Sequence, residues 1–272
     1  MRSLTKLRIL SLGAGVQSST LALMIQRGEI PMVDAAIFAD TIGEPKIVMK
    51  WLNWLEKQLS FPVYRVSKGN LRQDTIDRSN GGGKYKYFLD IPFFTRHEVT
   101  GKKGLGKRQC TTHYKIIPVA QKIRQLLGLK KRQRVKKDMS VELLMGISYD
   151  ELFRMKPNRI PYIQNVFPLI DMKMNREDCK NWMKDNGYPN PPRSACTFCP
   201  FHSNEEWRDI KNNEEEWQQV VAFDKTIRKG TNDEYLNFLH NSAEPIDQVN
   251  FNKKDNQLSL FIDGCVEGYC GN

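Results

Sequence analysis

No stretch of this 272-residue chain approaches the roughly 20 consecutive apolar residues that a membrane-spanning helix needs. The basic start "MRSLTKLRILSLGAGVQ" offers only a short apolar run, Ile9 to Leu12, before glycines intervene, so no export signal is expected. A soluble, unexported, cytoplasmic protein with no membrane partner is the expectation. Internal repeats are absent, so no repeat architecture is expected. Acidic residues are scarce in the first 200 positions, where 17 Asp and Glu face 35 Lys and Arg, whereas residues 201–272 carry 14 against 7. The net charge of +11 is therefore +18 on the N-terminal two thirds, which points to an anionic partner. The chain also lacks the profile of a disulfide scaffold. Its six cysteines (Cys110, Cys179, Cys196, Cys199, Cys265 and Cys270) are spread over a chain that is 40% hydrophobic and large enough to build a core without cross-links. Metal or redox chemistry suits them better.

What is present is an alternation of short apolar runs with helical periodicity. "LRILSL" reads as a buried strand, and Leu21, Met24 and Ile25 then share a helical face before Gly28 offers a C-cap. "DAAIFAD" is a second strand, followed by Ile47, Val48, Trp51, Leu52, Leu55 and Leu59 at helical spacing. "FPVYRV" gives a third strand, "IIPVAQKIRQLLGL" a helix and "SVELLMGI" a fourth strand. This order predicts an α/β, Rossmann-like fold with a doubly wound parallel sheet and ligands at the carboxyl ends of its strands. The expected organisation is a nucleotide-binding α/β domain over 1–171 and a smaller helical C-terminal region over 172–272. Residues 67–109 lose all periodicity and read as a long loop or lid. Two basic regions stand out. Arg65 to Arg108 holds eleven Lys and Arg against four acids, and Lys130, Lys131, Arg132, Arg134, Lys136 and Lys137 fall within eight positions. A solvated face is the plain explanation of either alone; together they favour a polyanionic substrate.

The stretch "SLGAGVQSST", Ser11 to Thr20, puts glycines and hydroxyls where the first strand becomes a helix. Free backbone N–H groups and the positive end of a helix dipole suit a phosphate there, with Ser18, Ser19 and Thr20 as further donors. The stretch matches neither GxxxxGK[ST], since no lysine follows, nor GxGxxG. It resembles instead the PP-loop of the ATP pyrophosphatases, SGGxDS, with Gly13, Ala14, Gly15, Val16, Gln17 and Ser18 in those places. Gly13 replaces the first serine and Gln17 the aspartate. Within that superfamily the chain is similar to the phosphoadenosine phosphosulfate reductase and sulfurtransferase branch. "FADTIGEP" resembles its DTG-x-E-x-P segment, "QCTTHYKIIPV" its Cys-containing K-x-x-P helix start, and "GISYDELFR" its G-x-x-x-x-E-x-x-R stretch; "FPLIDM" and "CTFCPF" follow in order.

The resemblance implies a site. Ser11, Gly13, Gly15, Gln17, Ser18, Ser19, Asp40, Gly146, Glu151 and Arg154 would surround a nucleotide, with Asp40 placed for Mg²⁺. Glu151 and Arg154 form a local pair or a phosphate clamp. Cys110 with the Cys196-x-x-Cys199 pair would anchor a [4Fe–4S] cluster, or zinc as the alternative. Cluster-bearing relatives have an adjacent cysteine pair where this chain has Cys110-Thr111. Either one iron is then open to hold sulfur, or His113 or a tail cysteine completes the set. Cys179 reads as core, and His113 and His202 as structural histidines.

The function expected is an ATP-dependent sulfur-handling enzyme acting on a nucleic acid (tRNA or DNA) or a nucleotide. A substrate carbonyl oxygen is adenylated and sulfur then displaces AMP, with Asp40, Lys115 and Cys270 as catalytic candidates and a sulfur donor or thioredoxin-like reductant as partner. One alternative is a phosphoadenylyl- or adenylyl-sulfate reductase that uses a cysteine of the tail "DGCVEGYCGN". Another is a nucleotide-binding subunit of a DNA-modification or defence system. Oligomer formation is left open.

Overall fold

The computed structural model describes residues 5–79, 89–229 and 234–252. Two successive βα units open the chain: β1 (Thr5–Leu12), α1 (Val16–Gln26), β2 (Ala35–Ala39), α2 (Lys46–Glu56) and β3 (Val63–Val66). Then come α3 (Leu71–Ser79) and a hairpin of β4 (Phe94–His97) and β5 (Lys103–Leu105). After it α4 (Ile117–Leu126) leads to β6 (Met139–Met145) and β7 (Ile163–Val166). Four helices follow, α5 (Pro168–Asp171), α6 (Arg176–Asp185), α7 (Asn204–Lys211) and α8 (Glu214–Ile227), and then β8 (Tyr235–Phe238).

Five of the strands form one parallel sheet in the order β3-β2-β1-β6-β7. Ile9 of β1 stands between Ala35 of β2 and Leu143 of β6. The chain winds outward from β1 to β3, then crosses to the other side of β1, so the sheet has its topological switch point between β1 and β6. In an open α/β sheet that is where ligands bind, outside the carboxyl ends of the strands. The doubly wound α/β expectation is met.

Burial explains why these runs are so apolar. β2, Ala-Ala-Ile-Phe-Ala, is buried at every position because helices cover both faces. On one face α1 is buried along all of Val16 to Ile25, held between the sheet and α6, where Cys179 and Met183 are fully buried. On the other face Val119 and Ile123 of α4 pack with Ile9, Ile37 and Val141. A separate core gathers Tyr114, Phe198, Trp207, Phe223 and Leu239 beside an antiparallel sheet ordered β5-β4-β8. Chain segments from both sides of residue 172 share that smaller sheet.

Residues 67–109 differ from the expected loop, since α3, β4 and β5 lie within them. The signal is weak for a physical reason: α3 buries only Leu71 and Thr75, and β5 is exposed throughout. Ahead of α4 the chain makes a wide π turn over Thr112–Ile116, closed by the Ile117 N–H on the Thr112 carbonyl. Pro118 accounts for it, because its missing N–H and its ring exclude an ordinary bond to the carbonyl four residues back. Among the described residues no helix is long and apolar enough to cross a membrane.

Candidate active site

Two loops at the carboxyl ends of β1 and β2 frame the site, and each holds a residue in the left-handed region. Ala14 has φ +59° and Ile42 φ +56°. For residues with a Cβ this conformation costs about 1–2 kcal/mol, and such strain concentrates at functional sites. Local bonds support both turns. The Ser18 hydroxyl accepts from the Gly13 N–H at 3.1 Å, and Asp40 Oδ1 accepts from the Ile42 N–H at 2.7 Å. Gly15 caps α1 without a side chain, so backbone can approach a ligand closely at that helix start. Ser11, Gly13, Phe38, Ala39, Lys115 and Val119 line the cleft between the two strands.

Behind the turn lies a buried polar network. Trp51 Nε1 donates to Ser19 Oγ at 2.9 Å, and Thr20 Oγ1 donates to the Val16 carbonyl at 2.9 Å. Gln17 is fully buried. Its Nε2 donates to Ser148 Oγ at 3.3 Å and reaches Glu151 Oε2 at 3.5 Å, while its Oε1 accepts from Arg176 Nη1 at 3.3 Å. Arg154 Nη1 pairs with Glu151 Oε1 at 2.7 Å. Burial raises the Glu151 pKa above the ordinary carboxylate value, and the nearby Arg154 charge opposes the rise. The amide at position 17 thus ties the first turn of α1 to the segment after β6, in which Gly146 is buried.

The cysteines meet in a second cavity, lined by Arg108, Cys110, Lys115, Cys196, Phe198 and Cys199 among others. The Cys199 N–H and His202 Nε2 both donate to the Cys196 carbonyl, at 2.9 and 2.8 Å. Cys110 is held by its N–H on the Asp90 carbonyl at 2.8 Å. Cys196 Sγ lies 3.0 Å from Thr41 Oγ1 and 3.9 Å from Glu44 Oε1. Burial first, and then the Glu44 charge, push its thiol pKa well up, so it rests as a neutral thiol. Among the described residues no three His, Cys, Asp or Glu side chains converge on one metal position.

Lys115 joins the two cavities. It lines both, and its Nζ stands 3.8 Å from Glu44 Oε1 on a side chain only 15% exposed. Thr41 and Glu44 belong to "FADTIGEP", a segment whose pattern gives neither of them a role apart from Asp40. Trp51 reads as a core position of an amphipathic helix, and Arg176, at the start of α6, carries no sequence signal. His113 Nδ1 is 2.5 Å from Asp90 Oδ1, and His202 Nδ1 is 3.6 Å from Glu206 Oε2. Cys179 is core, as expected. The run Lys130 to Lys137 is exposed but lies between α4 and the amino end of β6, at the end of the sheet opposite the carboxyl ends that frame the cleft. Cys265 and Cys270 lie outside the described residues.

No protein-family model and no curated protein matches the sequence. Among solved structures, the chain is similar to phosphoadenylyl-sulfate (PAPS) reductase from Candida auris, in a phosphate complex. Identity is 14% and the TM-score 0.42, over 69% of this chain and 75% of that one.

Proposed function

We propose that the chain is an ATP-dependent sulfur-transfer enzyme that adenylates a carbonyl oxygen of a nucleic acid or nucleotide and then replaces that oxygen with sulfur. The observation that carries the reading is Lys115, a nearly buried cation lining both the cleft at the phosphate turn and the cavity of the three cysteines. An anion activated in the first is thereby presented to sulfur in the second. The substrate oxygen attacks the α-phosphorus of ATP, forming a C–O–P linkage and releasing pyrophosphate. A persulfide sulfur, loaded on one pocket cysteine by a persulfide donor, then adds to the same carbon. The C–O bond breaks and AMP leaves with its electron pair. A second pocket cysteine attacks the linking sulfur of the first, freeing the thiolated product and leaving a disulfide for a dithiol reductant to reopen. Lys115 steadies charge developing on the phosphate and on the leaving AMP.

Asp40 offers Mg²⁺ the single carboxylate that, with substrate phosphates, suits this ion; when bound it would neutralise the polyphosphate. Cys110, Cys196 and Cys199 line one cavity but do not converge on one metal position, so they do not fit a [4Fe–4S] cluster or zinc, and the sulfur step runs through their thiols alone.

The tail cysteines Cys265 and Cys270 favour a second reading, reduction of phosphoadenylyl- or adenylyl-sulfate. Anaerobically purified protein decides between them. ATP–pyrophosphate exchange that depends on added RNA or DNA supports adenylation, whereas thioredoxin-dependent release of sulfite from a sulfonucleotide without such exchange overturns it.

A further inference from the structure

The short helical turn Tyr149–Arg154, which follows β6 at the switch point, is inverted. Two of its three charged residues face inward: Glu151, which meets Gln17 at the start of α1, and Arg154, which pairs with Glu151, are buried, while Asp150 is exposed. Its apolar residues face outward. Tyr149, Leu152, Phe153 and Met155 are all exposed, Phe153 at 61%. The Tyr149 N–H donates to the Met174 carbonyl at 2.7 Å, which draws the exposed Met172 into the same neighbourhood. Two of these residues are followed in sequence by exposed cations, Met155 by Lys156 and Met172 by Lys173. The adjoining Asp150 carboxylate is engaged by the Arg176 N–H at 3.1 Å, at the start of α6.

Five exposed apolar side chains, on one short turn, at Met155 just after it and at Met172 just after the neighbouring α5, mark a binding surface. Two aromatic rings between cations are how a protein holds unpaired bases, with rings under the base faces and cations on the flanking phosphates. The position agrees, since the turn is braced against the loop that would hold the activating phosphate. We propose that Tyr149, Leu152, Phe153, Met155 and Met172 form the platform on which one or two unpaired bases of a single-stranded nucleic acid stack beside the cleft, with Lys156 and Lys173 on the adjacent phosphates. The inference rests on the nucleic-acid form of the function proposed above and names its substrate as single-stranded or locally opened. It also assigns base contact to this turn rather than to the run Lys130 to Lys137.

The test is fluorescence anisotropy with labelled single-stranded RNA and DNA oligonucleotides and a blunt duplex, over a series of salt concentrations. Single strands should bind more tightly than the duplex. Phe153→Ala should weaken binding by at least about fivefold with an unchanged salt slope, and Phe153→Tyr should restore it, because stacking rather than charge is removed. The double variant Lys156→Ala/Lys173→Ala should make the log–log slope shallower by about 1.4, at about 0.7 per single-strand phosphate. The Phe153 ring is exposed, so its truncation leaves the fold intact, which an unchanged melting temperature checks. Wild-type binding that Phe153→Ala leaves unaltered overturns the platform and spares the adenylation reading. No binding of any nucleic acid overturns the platform together with the nucleic-acid substrate, while pyrophosphate exchange with a small nucleotide still tests the chemistry. A concentration-dependent dimer that Phe153→Ala dissociates overturns the proposal in favour of a protein interface.

Discussion

Gly43→Ala places a methyl group where the loop after β2 meets the cysteine loop. A Cβ at position 43 would stand 2.6 Å from Phe198 Cζ and 2.7 Å from Cε1. Carbon atoms settle at about 3.5–4.0 Å, so the ring must withdraw by about 1 Å. It has little room, being 2% exposed and packed on Phe223 with centroids 5.0 Å apart. The backbone cannot yield freely either, because the Gly43 carbonyl accepts from the Thr197 N–H at 2.9 Å. Overpacking of this kind costs about 1–3 kcal/mol. At roughly 2–4 °C per kcal/mol for a chain of this size, the melting temperature should fall by about 2–12 °C. Phe198 sits between Cys196 and Cys199, so the same shift should change the alkylation rate of Cys196 by iodoacetamide, followed by mass spectrometry. Phe198→Leu in the Gly43→Ala background should recover part of the stability, a coupling that a double-mutant cycle reads directly. Wild-type stability together with wild-type Cys196 reactivity in Gly43→Ala would refute the packing described between these loops.

Lys115→Met takes the nearby positive charge from the Glu44 carboxylate, which is 1% exposed, and should cost about 3–5 kcal/mol; at a temperature where the variant is still folded it should abolish ATP–pyrophosphate exchange, and retained exchange would remove Lys115 from the chemistry. Arg154→Met strands the buried Glu151 carboxylate and should cost about 3–5 kcal/mol near neutral pH. Because the Glu151 pKa is raised in the folded protein, the folded state holds its proton more tightly than the unfolded one. Stability from this group therefore falls as pH rises through the raised value, and the variant should recover part of its loss on acidification, read by urea unfolding at several pH values. Glu206 behaves oppositely. Burial alone would raise its pKa, but the His202 ring, Arg193 and the Ser203 N–H outweigh burial and hold it at about 2. A depressed carboxylate adds stability above its ordinary value that is lost as pH falls. The wild type should lose about 3 kcal/mol through this group between about pH 5 and about pH 2, and Glu206→Gln should lack that loss.

The central strands and their helices were legible because a parallel sheet covered on both faces leaves near-continuous apolar runs, as in "DAAIFAD". The turn between β1 and α1 was legible because glycines and hydroxyls directly after an apolar run mark a strand-to-helix junction. α3 and the β4–β5 hairpin were not, because they bury too little to leave a period. Nor could sequence assign the hydroxyls of Ser18 and Ser19, which read as ligand donors. One accepts the Gly13 N–H and the other the Trp51 ring N–H, contacts that exist only once the loop and α2 are folded together. Gln17 stood out as a departure from a pattern. Its bonds to Ser148, Glu151 and Arg176 span more than 130 residues and have no local signature. Cys110, Cys196 and Cys199 line one cavity without converging on one metal position, and the hold of Thr41 on Cys196 has no signature in the sequence.

Isothermal titration of ATP into the wild-type protein and into Gly15→Val tests the central claim, that the turn after β1 is a nucleotide phosphate site, most directly. A valine at the start of α1 stands where backbone must come close to phosphate. The account predicts saturable ATP binding by the wild type and a loss of at least about tenfold in Gly15→Val, a difference of about 1.4 kcal/mol. Equal ATP affinity in the two proteins, with both folded, would contradict it.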